Sequence, residues 1–188
     1  FISDHPLNQY KELYNQYNII DYIEFNENNE INEANIACTV LKVQEKKTQK
    51  GNSYAIVKFS DLTSVFEIFV FSDVFEINRD LLKEGNSLMI ILLKNFIDEN
   101  KIQKKINVKK IVSLKEVINQ TYKNIVFKFR NLNELNILNK LSTEKGETDV
   151  VIHLYKADEK LILKLKNKKK IDNKLINSLN LVENVIID

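Results

Sequence analysis

The chain has 188 residues and a mass of 22.0 kDa, enough for one good core or two small ones but not for a large enzyme. Apolar residues make up 44% and charged residues 29%, as in soluble globular domains, and no apolar stretch approaches the roughly 18 residues of a membrane span. The formal net charge is only +2, so an argument for nucleic-acid binding has to come from where the lysines lie.

Sulfur and imidazole side chains are scarce. Cys38 is the single cysteine, which excludes an intramolecular disulfide and fits a reducing cytoplasm. Together with His5 and His153 it provides too few ligands for a structural zinc site. We find no signal-peptide pattern, and the chain begins without methionine. We therefore expect a cytoplasmic segment of a longer polypeptide, without membrane contact, metal or cofactor.

Residues 1–33 are predicted to form a helical lead-in followed by a connection. Pro6 suits a first helical turn, and the apolar and tyrosine side chains that follow recur at helical spacing. These are Leu7, Tyr10, Leu13, Tyr14 and Tyr17. The spacing predicts one short amphipathic helix over 6–17, and the polar residues 26–33 predict a connection.

Residues 34–113 change to a period of two, which predicts strands. We expect strands from Ala34, over 53–60, 65–71, 87–97 and 102–114, with turns at 46–52 and 98–101 and a helix over 73–84 that ends at Gly85. The order β-β-β-α-β-β is that of the OB-fold, a partly open five-stranded barrel that binds oligonucleotides on strands 2 and 3. A five-stranded barrel without a ligand stays open as an alternative.

After a linker over 114–123, residues 124–188 predict a second, small domain. The pattern gives strand 124–129, helix 132–142, a hairpin of 148–158 and 160–167, helix 172–180 and a last strand 182–188. The order β-α-β-β-α-β is the split βαβ or ferredoxin-like order. The fold class predicted for the chain is therefore α+β, an OB barrel followed by a ferredoxin-like domain.

The sequence offers no catalytic motif. It lacks a phosphate-binding glycine loop, a nucleophile elbow, a zinc-protease helix and any Cys/His pairing with usable spacing. Cys38 and His153 lie within apolar strands, where a structural role is expected. No two aspartates are spaced to present carboxylates to one metal on a single strand. We predict no catalytic residue and no metal site in this segment.

Nucleic-acid binding has better support. Lysines surround Gly51 in the loop between strands 1 and 2 and recur where strand 5 begins, and an OB barrel uses both regions to follow a phosphate backbone. Alternation places Tyr54 and Lys58 on one side of strand 2, and Phe69 beside Glu67 on strand 3. The predicted DNA-binding residues are Lys46, Lys47, Lys50, Tyr54, Lys58, Phe69, Lys104 and Lys105.

Less specific explanations exist for the same residues. Phe69 and Phe71 could pack under an adjoining domain, and lysine-rich loops are commonly solvated. A third lysine cluster lies at the exit of the predicted hairpin 148–167, where it fits a solvated edge that discourages strand pairing or a surface for nucleic acid or an acidic partner. It consists of Lys164, Lys166, Lys168, Lys169 and Lys170.

Two stretches resemble a known family. HPLNQY at 5–10 and TVLKVQEKKTQKGNSYAIVKFSDLTSVFEIFVFSDVF at 39–75 are similar to the region of bacterial DNA polymerase III alpha subunits where a GHPL-like turn precedes an OB domain. The positions that match its pattern are Thr48, Gly51, Ala55, Asp61, Glu67 and Phe71. VIHLYKAD at 151–158 and the terminal VENVIID resemble the C-terminal domain of that subunit. Departures are Ser3-Asp4 for a small-Gly pair, Tyr54 for a common Met and Ser64 for a turn Gly.

The resemblance implies the C-terminal part of a replicative DNA-directed DNA polymerase, a nucleotidyltransferase whose catalytic residues lie outside this segment. It implies an OB domain on single-stranded template DNA and a C-terminal domain that docks the tau subunit of the clamp loader, beside other parts of the holoenzyme. Two alternatives stay open. One is an OB module of the tRNA-anticodon-binding type, and the other is a docking scaffold without a nucleic-acid role.

Overall fold

The computed structural model describes residues 5–97, 103–141, 145–156 and 159–179, and the backbone of 185–186. The chain divides into two units, Phe1–Val117 and Ile118–Asp188. None of the helices within these stretches has the length and apolar character needed to cross a membrane. The predicted turn 98–101 and most of the predicted last strand 182–188 lie outside the described residues.

The N-terminal segment is helical but not one helix. A 3₁₀ helix over Pro6–Tyr10 is followed by α1 (Glu12–Gln16), and α2 (Tyr22–Glu27) forms partly within the predicted connection. The predicted apolar stripe does bury Leu7, Tyr10 and Leu13. The Tyr22 ring stacks on Phe66 of the sheet with ring centroids 4.0 Å apart. The lead-in is therefore packed onto the strands that follow it.

The first unit is built on a five-stranded antiparallel sheet in the order β3-β2-β1-β4-β5. Its strands are β1 (Glu33–Lys47), β2 (Ser53–Ser60), β3 (Val65–Val70), β4 (Ser87–Phe96) and β5 (Lys104–Ser113). The helices α3 (Ser72–Asn78) and α4 (Leu114–Asn119) follow β3 and β5. The helix predicted over 73–84 is thus shorter, and α4 lies in the predicted linker. The sheet is not closed, although Cα atoms of the edge strands β3 and β5 come within 8 Å of each other.

Alternation in β2 and β3 builds the core of this unit. Ala55, Val57 and Phe59 of β2 are fully buried, as are Ile36 of β1 and Ile90 of β4, which belong to the same core. Cys38 is also fully buried as a free thiol, and burial raises its pKa well above the usual value. A buried, protonated thiol packs as a small apolar side chain.

The second unit contains a four-stranded mixed sheet in the order β8-β7-β6-β9. Its elements are β6 (Asn124–Phe129), a 3₁₀ helix (Leu132–Lys140), β7 (Lys145–Lys156), β8 (Glu159–Lys164), α5 (Asn173–Ser178) and β9 (Val185–Ile186). The helix predicted over 132–142 is therefore of the 3₁₀ type. The core pairs Ile125, Phe127 and Phe129 of β6 with the alternating apolar residues of β7.

The predicted ferredoxin-like arrangement is wrong for the strand order, although the element order agrees. In a split βαβ unit the third strand lies between the first two, so that every pair is antiparallel. Here β7 pairs directly with β6 in parallel, and β8 forms the edge. The physical reason is burial: Val150, Ile152 and Leu154 give β7 a continuous apolar inner face, whereas every residue of β8 is exposed.

Candidate nucleic-acid interface

The register of β1, β2 and β3 creates one shared solvent-facing surface. Side chains directly opposite each other in an antiparallel pair lie on the same face. Lys46 is opposite Tyr54, Gln44 is opposite Ile56, and Lys42 is opposite Lys58. Across the next pair, Ile56 is opposite Phe69 and Lys58 is opposite Glu67. We call these residues the outer face: Lys42, Gln44, Lys46, Tyr54, Ile56, Lys58, Glu67 and Phe69.

Two aromatic rings form a platform on the outer face. Tyr54 and Phe69 are stacked, with ring centroids 6.5 Å apart and an interplanar angle of 19°. Phe69 is 51% exposed and Phe71, which follows β3, is 44% exposed. With the turn residues Thr48 and Gln49 they line a groove of about 460 Å³. Exposed, clustered aromatic rings beside polar residues are typical of a binding surface.

Lysines of three strands, β1, β2 and β5, lie beside this platform or on the same outer face. The Lys105 ammonium of β5 lies 5.1 Å from the centroid of the Phe71 ring. Lys47 lines the same groove, and Lys46 lies directly opposite Tyr54. Lys58 is exposed on β2. The arrangement offers stacking surfaces and positive charge together, which single-stranded nucleic acids require.

The turn between β1 and β2 is shorter than predicted. Strand β1 continues to Lys47, so Lys46 and Lys47 are strand residues and Lys50 alone of the three lies in the turn. The Gly51 N–H donates to the Thr48 carbonyl at 2.9 Å, and Gly51 has a φ of +85°. Only glycine adopts that conformation without strain, so Gly51 fixes the turn beside the groove.

The acid nearest the turn is already paired. Glu45 faces away from the outer face, opposite the buried Ala55. The Arg79 Nη1 group donates to Glu45 Oε2 at 2.6 Å, and the Arg79 guanidinium lies 4.5 Å from the centroid of the Phe75 ring. The hydrogen bond from Arg79 lowers the pKa of Glu45. Glu67 is therefore the only acid among the outer-face residues defined above.

Lys104 has a different position from Lys105. Its ammonium donates to the Asn26 carbonyl, and the buried Lys94 donates to the carbonyls of Phe25 and Asn28. These carbonyls end α2, where backbone acceptors lack helical partners. Burial, and then the charge of Lys104, lowers the pKa of Lys94. Lys94 and Lys104 thus attach α2 to the sheet, and Lys104 does not join the groove.

Asp61 organises the turn between β2 and β3. Its carboxylate accepts the backbone N–H of Tyr22 at 2.7 Å, of Thr63 at 2.9 Å and of Ser64 at 2.6 Å. Burial alone raises the pKa of Asp61, but these N–H groups and the Ser64 hydroxyl together hold it below the usual value. Asp61 is therefore a structural carboxylate that ties α2 to the strands carrying the platform.

Sequence reasoning missed Lys42 and left Phe71 out of the predicted DNA-binding residues. Ile36, Cys38 and Val40 face inward, so plain alternation places Lys42 and Lys46 inward as well. A β-bulge between Val40 and Lys42 shifts the register, and one extra residue reverses the faces. No sequence pattern marks this bulge. Phe71 could have been predicted, because alternation places it on the same face as Phe69.

Within the described residues no group of three or more His, Cys, Asp or Glu side chains could hold a metal ion. Of the predicted site residues, the structure brings together Lys46, Lys47, Tyr54, Phe69 and Lys105. Lys58 lies on the same outer face, Lys50 lies in the neighbouring turn, and Lys104 lies at the end of α2.

Comparison with known proteins finds partial similarity to two polymerase subunits. No family model matches the chain. Over 101 residues, 53% of the chain, it is 31% identical to the DNA polymerase III subunit alpha of Aquifex aeolicus (strain VF5). Over 175 residues, 88% of the chain, it is 25% identical to the DNA polymerase III subunit alpha of Borreliella burgdorferi. The alignments cover 8% and 15% of those relatives' own lengths. The similarity is partial and distant, and it supports that family.

Proposed function

We propose that the chain is part of a replicative DNA polymerase III alpha subunit and that its first unit is an OB-type module for single-stranded template DNA. The sheet order β3-β2-β1-β4-β5, with a helix between β3 and β4 and the edge strands within 8 Å, supports the OB assignment, because that fold is a partly open five-stranded barrel. The similarity to two alpha subunits supports the replicative setting.

The observation that carries the proposal is the solvent-open stack of Tyr54 and Phe69 among lysines. Every base has an aromatic face, so a ring platform binds bases with little sequence preference, with about 1–3 kcal/mol per stacked base. The open ring of Phe69 receives a base, and Phe71 extends the platform along the groove. Lysine ammonium groups on either side then meet the phosphates.

Electrostatics gives the proposal a measurable signature. Lys46, Lys58 and Lys105 lie on separate strands around the platform, and together they can neutralise about three phosphates. For single strands the logarithm of the affinity falls with a slope near 0.7 per contact, so the affinity should drop about twentyfold between about 50 and 200 mM salt. Binding is therefore of modest strength and independent of sequence.

In this proposal the chain positions template and does no bond chemistry. The outer face acts through stacking and ion pairing, which need neither cofactor nor metal. Nucleotide transfer belongs to other parts of the polymerase. We assign the second unit to protein docking, with the tau subunit of the clamp loader as the partner implied by the family resemblance.

Fluorescence anisotropy tests the proposal. The chain is titrated into labelled single-stranded DNA of about 15 nucleotides, into duplex DNA and into an RNA hairpin, at about 50 and 200 mM salt. A salt-sensitive preference for single-stranded DNA is the expected result. A preference for the hairpin would favour the anticodon-binding type of OB module. Absence of binding at high micromolar protein would favour the scaffold alternative.

A further inference from the structure

The edge strand β8 of the second unit exposes an apolar run. All six of its residues are exposed, and Leu161, Ile162 and Leu163 are 52%, 56% and 43% accessible. Because neighbouring strand residues point to opposite faces, the run is apolar on both sides of the sheet. In the sheet formed by the described residues β8 is the last strand. Long, exposed, apolar edges are templates for pairing with another strand.

The backbone of β8 is oriented for such pairing. The Leu165 N–H donates to the Val150 carbonyl at 3.0 Å. Hydrogen-bonded and non-hydrogen-bonded pairs alternate along an antiparallel register, so every second pair counted from this one is hydrogen-bonded. Lys160, Ile162 and Lys164 occupy the intervening positions of the β7–β8 register. Their N–H and C=O groups therefore point away from β7, towards the open edge.

We propose that the outer edge of β8 accepts an extended, acidic segment of a protein partner as an additional strand. Lys160 and Lys164 flank Ile162 on one face, and Leu161 and Leu163 lie on the other. The matching partner strand places an acid, an apolar residue and an acid opposite the first face and apolar residues opposite the second. The inference rests on the docking role proposed above, to which it gives a surface and a partner chemistry.

Charge selects this partner over a second copy of the chain. Antiparallel self-pairing centred on Ile162 would set Lys160 of one copy against Lys164 of the other, and opposed like charges are destabilising. Asp149 is shared by Lys164 and Lys168, with both distances 3.0 Å. Two cations for one acid leave this end of the strand positive.

The neighbouring face is also positive. His153 lies between Lys128 and Ile162 in the sheet, and burial, then Lys160 and Lys128, lowers its pKa. A nucleic acid would satisfy these cations but would leave the apolar run uncovered and the strand edge without backbone partners. An acidic polypeptide strand would pair with the cations, cover the apolar run and provide backbone partners for the strand edge.

Amide NMR with a designed probe tests the inference. The ¹⁵N-labelled chain is titrated with the peptide TSEVIVEST, with the charge-reversed TSKVIVKST and with TSEVPVEST, whose proline removes the central donor. The first peptide should shift the β8 amides and slow hydrogen exchange at Ile162. It should bind about tenfold more tightly than TSKVIVKST, because its two glutamates meet Lys160 and Lys164 as opposite charges, whereas the two lysines of the other peptide meet them as like charges. Equal binding of all three, or no shift on β8, would overturn the inference.

A variant pair isolates the edge itself. Ile162→Pro removes the outward N–H and leaves the β7–β8 hydrogen bonds intact, since proline is tolerated on edge strands at such positions, while Ile162→Val keeps the donor. Binding of TSEVIVEST should be lost with proline and kept with valine. If Ile162→Pro disturbs the fold, Lys160→Glu should abolish the preference between the two charged peptides, since either peptide then meets one like and one opposite charge, with Lys140→Glu on the 3₁₀ helix as control.

Capture of the tau subunit separates this inference from the docking proposal. Loss of capture with Ile162→Pro supports both. Equal capture by the native chain and by Ile162→Pro keeps the docking role and removes the edge from it. Failure of the native chain to capture tau removes the tau docking role, and the peptide titration then decides the edge alone.

Discussion

Replacing Phe69 by alanine is the sharpest perturbation of the platform. The Phe69 ring is 51% exposed and stacks on Tyr54, so its removal costs the fold little beyond that aromatic contact, about 0.5–1.5 kcal/mol. A stacked base contributes about 1–3 kcal/mol, and each 1.4 kcal/mol is tenfold in affinity, so the Kd for single-stranded DNA should rise about 5- to 150-fold.

Fluorescence anisotropy at low salt measures this change, with a thermal melt of each variant beside it. Phe69→Tyr keeps the ring and should keep the affinity. Ile77→Ala removes an equally apolar side chain that is 83% exposed on α3, so it should leave DNA binding unaltered. A Phe69→Ala chain that is folded and binds as tightly as the native chain would refute the stacking role.

Four further substitutions test charge and folding. Lys46→Glu and Lys58→Glu should each reduce the salt slope of DNA binding by about 0.7, measured by anisotropy across a salt series. Asp61→Asn should lower the free energy of unfolding at pH 7 by about 1–3 kcal/mol. Because the folded pKa of Asp61 is depressed, this difference should shrink in urea melts as the pH falls below about 4. Gly146→Ala should melt the second unit earlier in thermal unfolding, since a Cβ there would lie 2.5 Å from the Lys170 backbone.

Local periodicity was sufficient to predict the buried and solvent-facing sides of the central strands of the first unit. The alternation of Ala55, Val57 and Phe59 against Tyr54 and Lys58 predicted which side chains are buried and which face solvent. Such patterns hold wherever a strand has one apolar face. They fail at a bulge, and the reversal of β1 after Val40 therefore hid Lys42 from sequence analysis.

The sequence could not predict which residues distant along the chain come into contact. Alternation places Lys104 and Lys105 on opposite faces of β5, but it does not reveal that one ammonium binds the end of α2 and the other lies over Phe71. The parallel pairing of β6 with β7 could not be predicted for the same reason. Element order leaves several strand orders open, and the burial of β7 relative to β8 decides among them.

Photocrosslinking tests most directly whether single-stranded DNA lies on the outer face. An oligonucleotide carrying 5-iododeoxyuridine is irradiated with the chain, and the adducts are mapped by mass spectrometry. Adducts on Tyr54, Phe69 or Phe71 are the predicted result, and Tyr155 of the second unit is the internal control. Adducts confined to Tyr155, or none at saturating DNA, would contradict a template-binding role for the outer face.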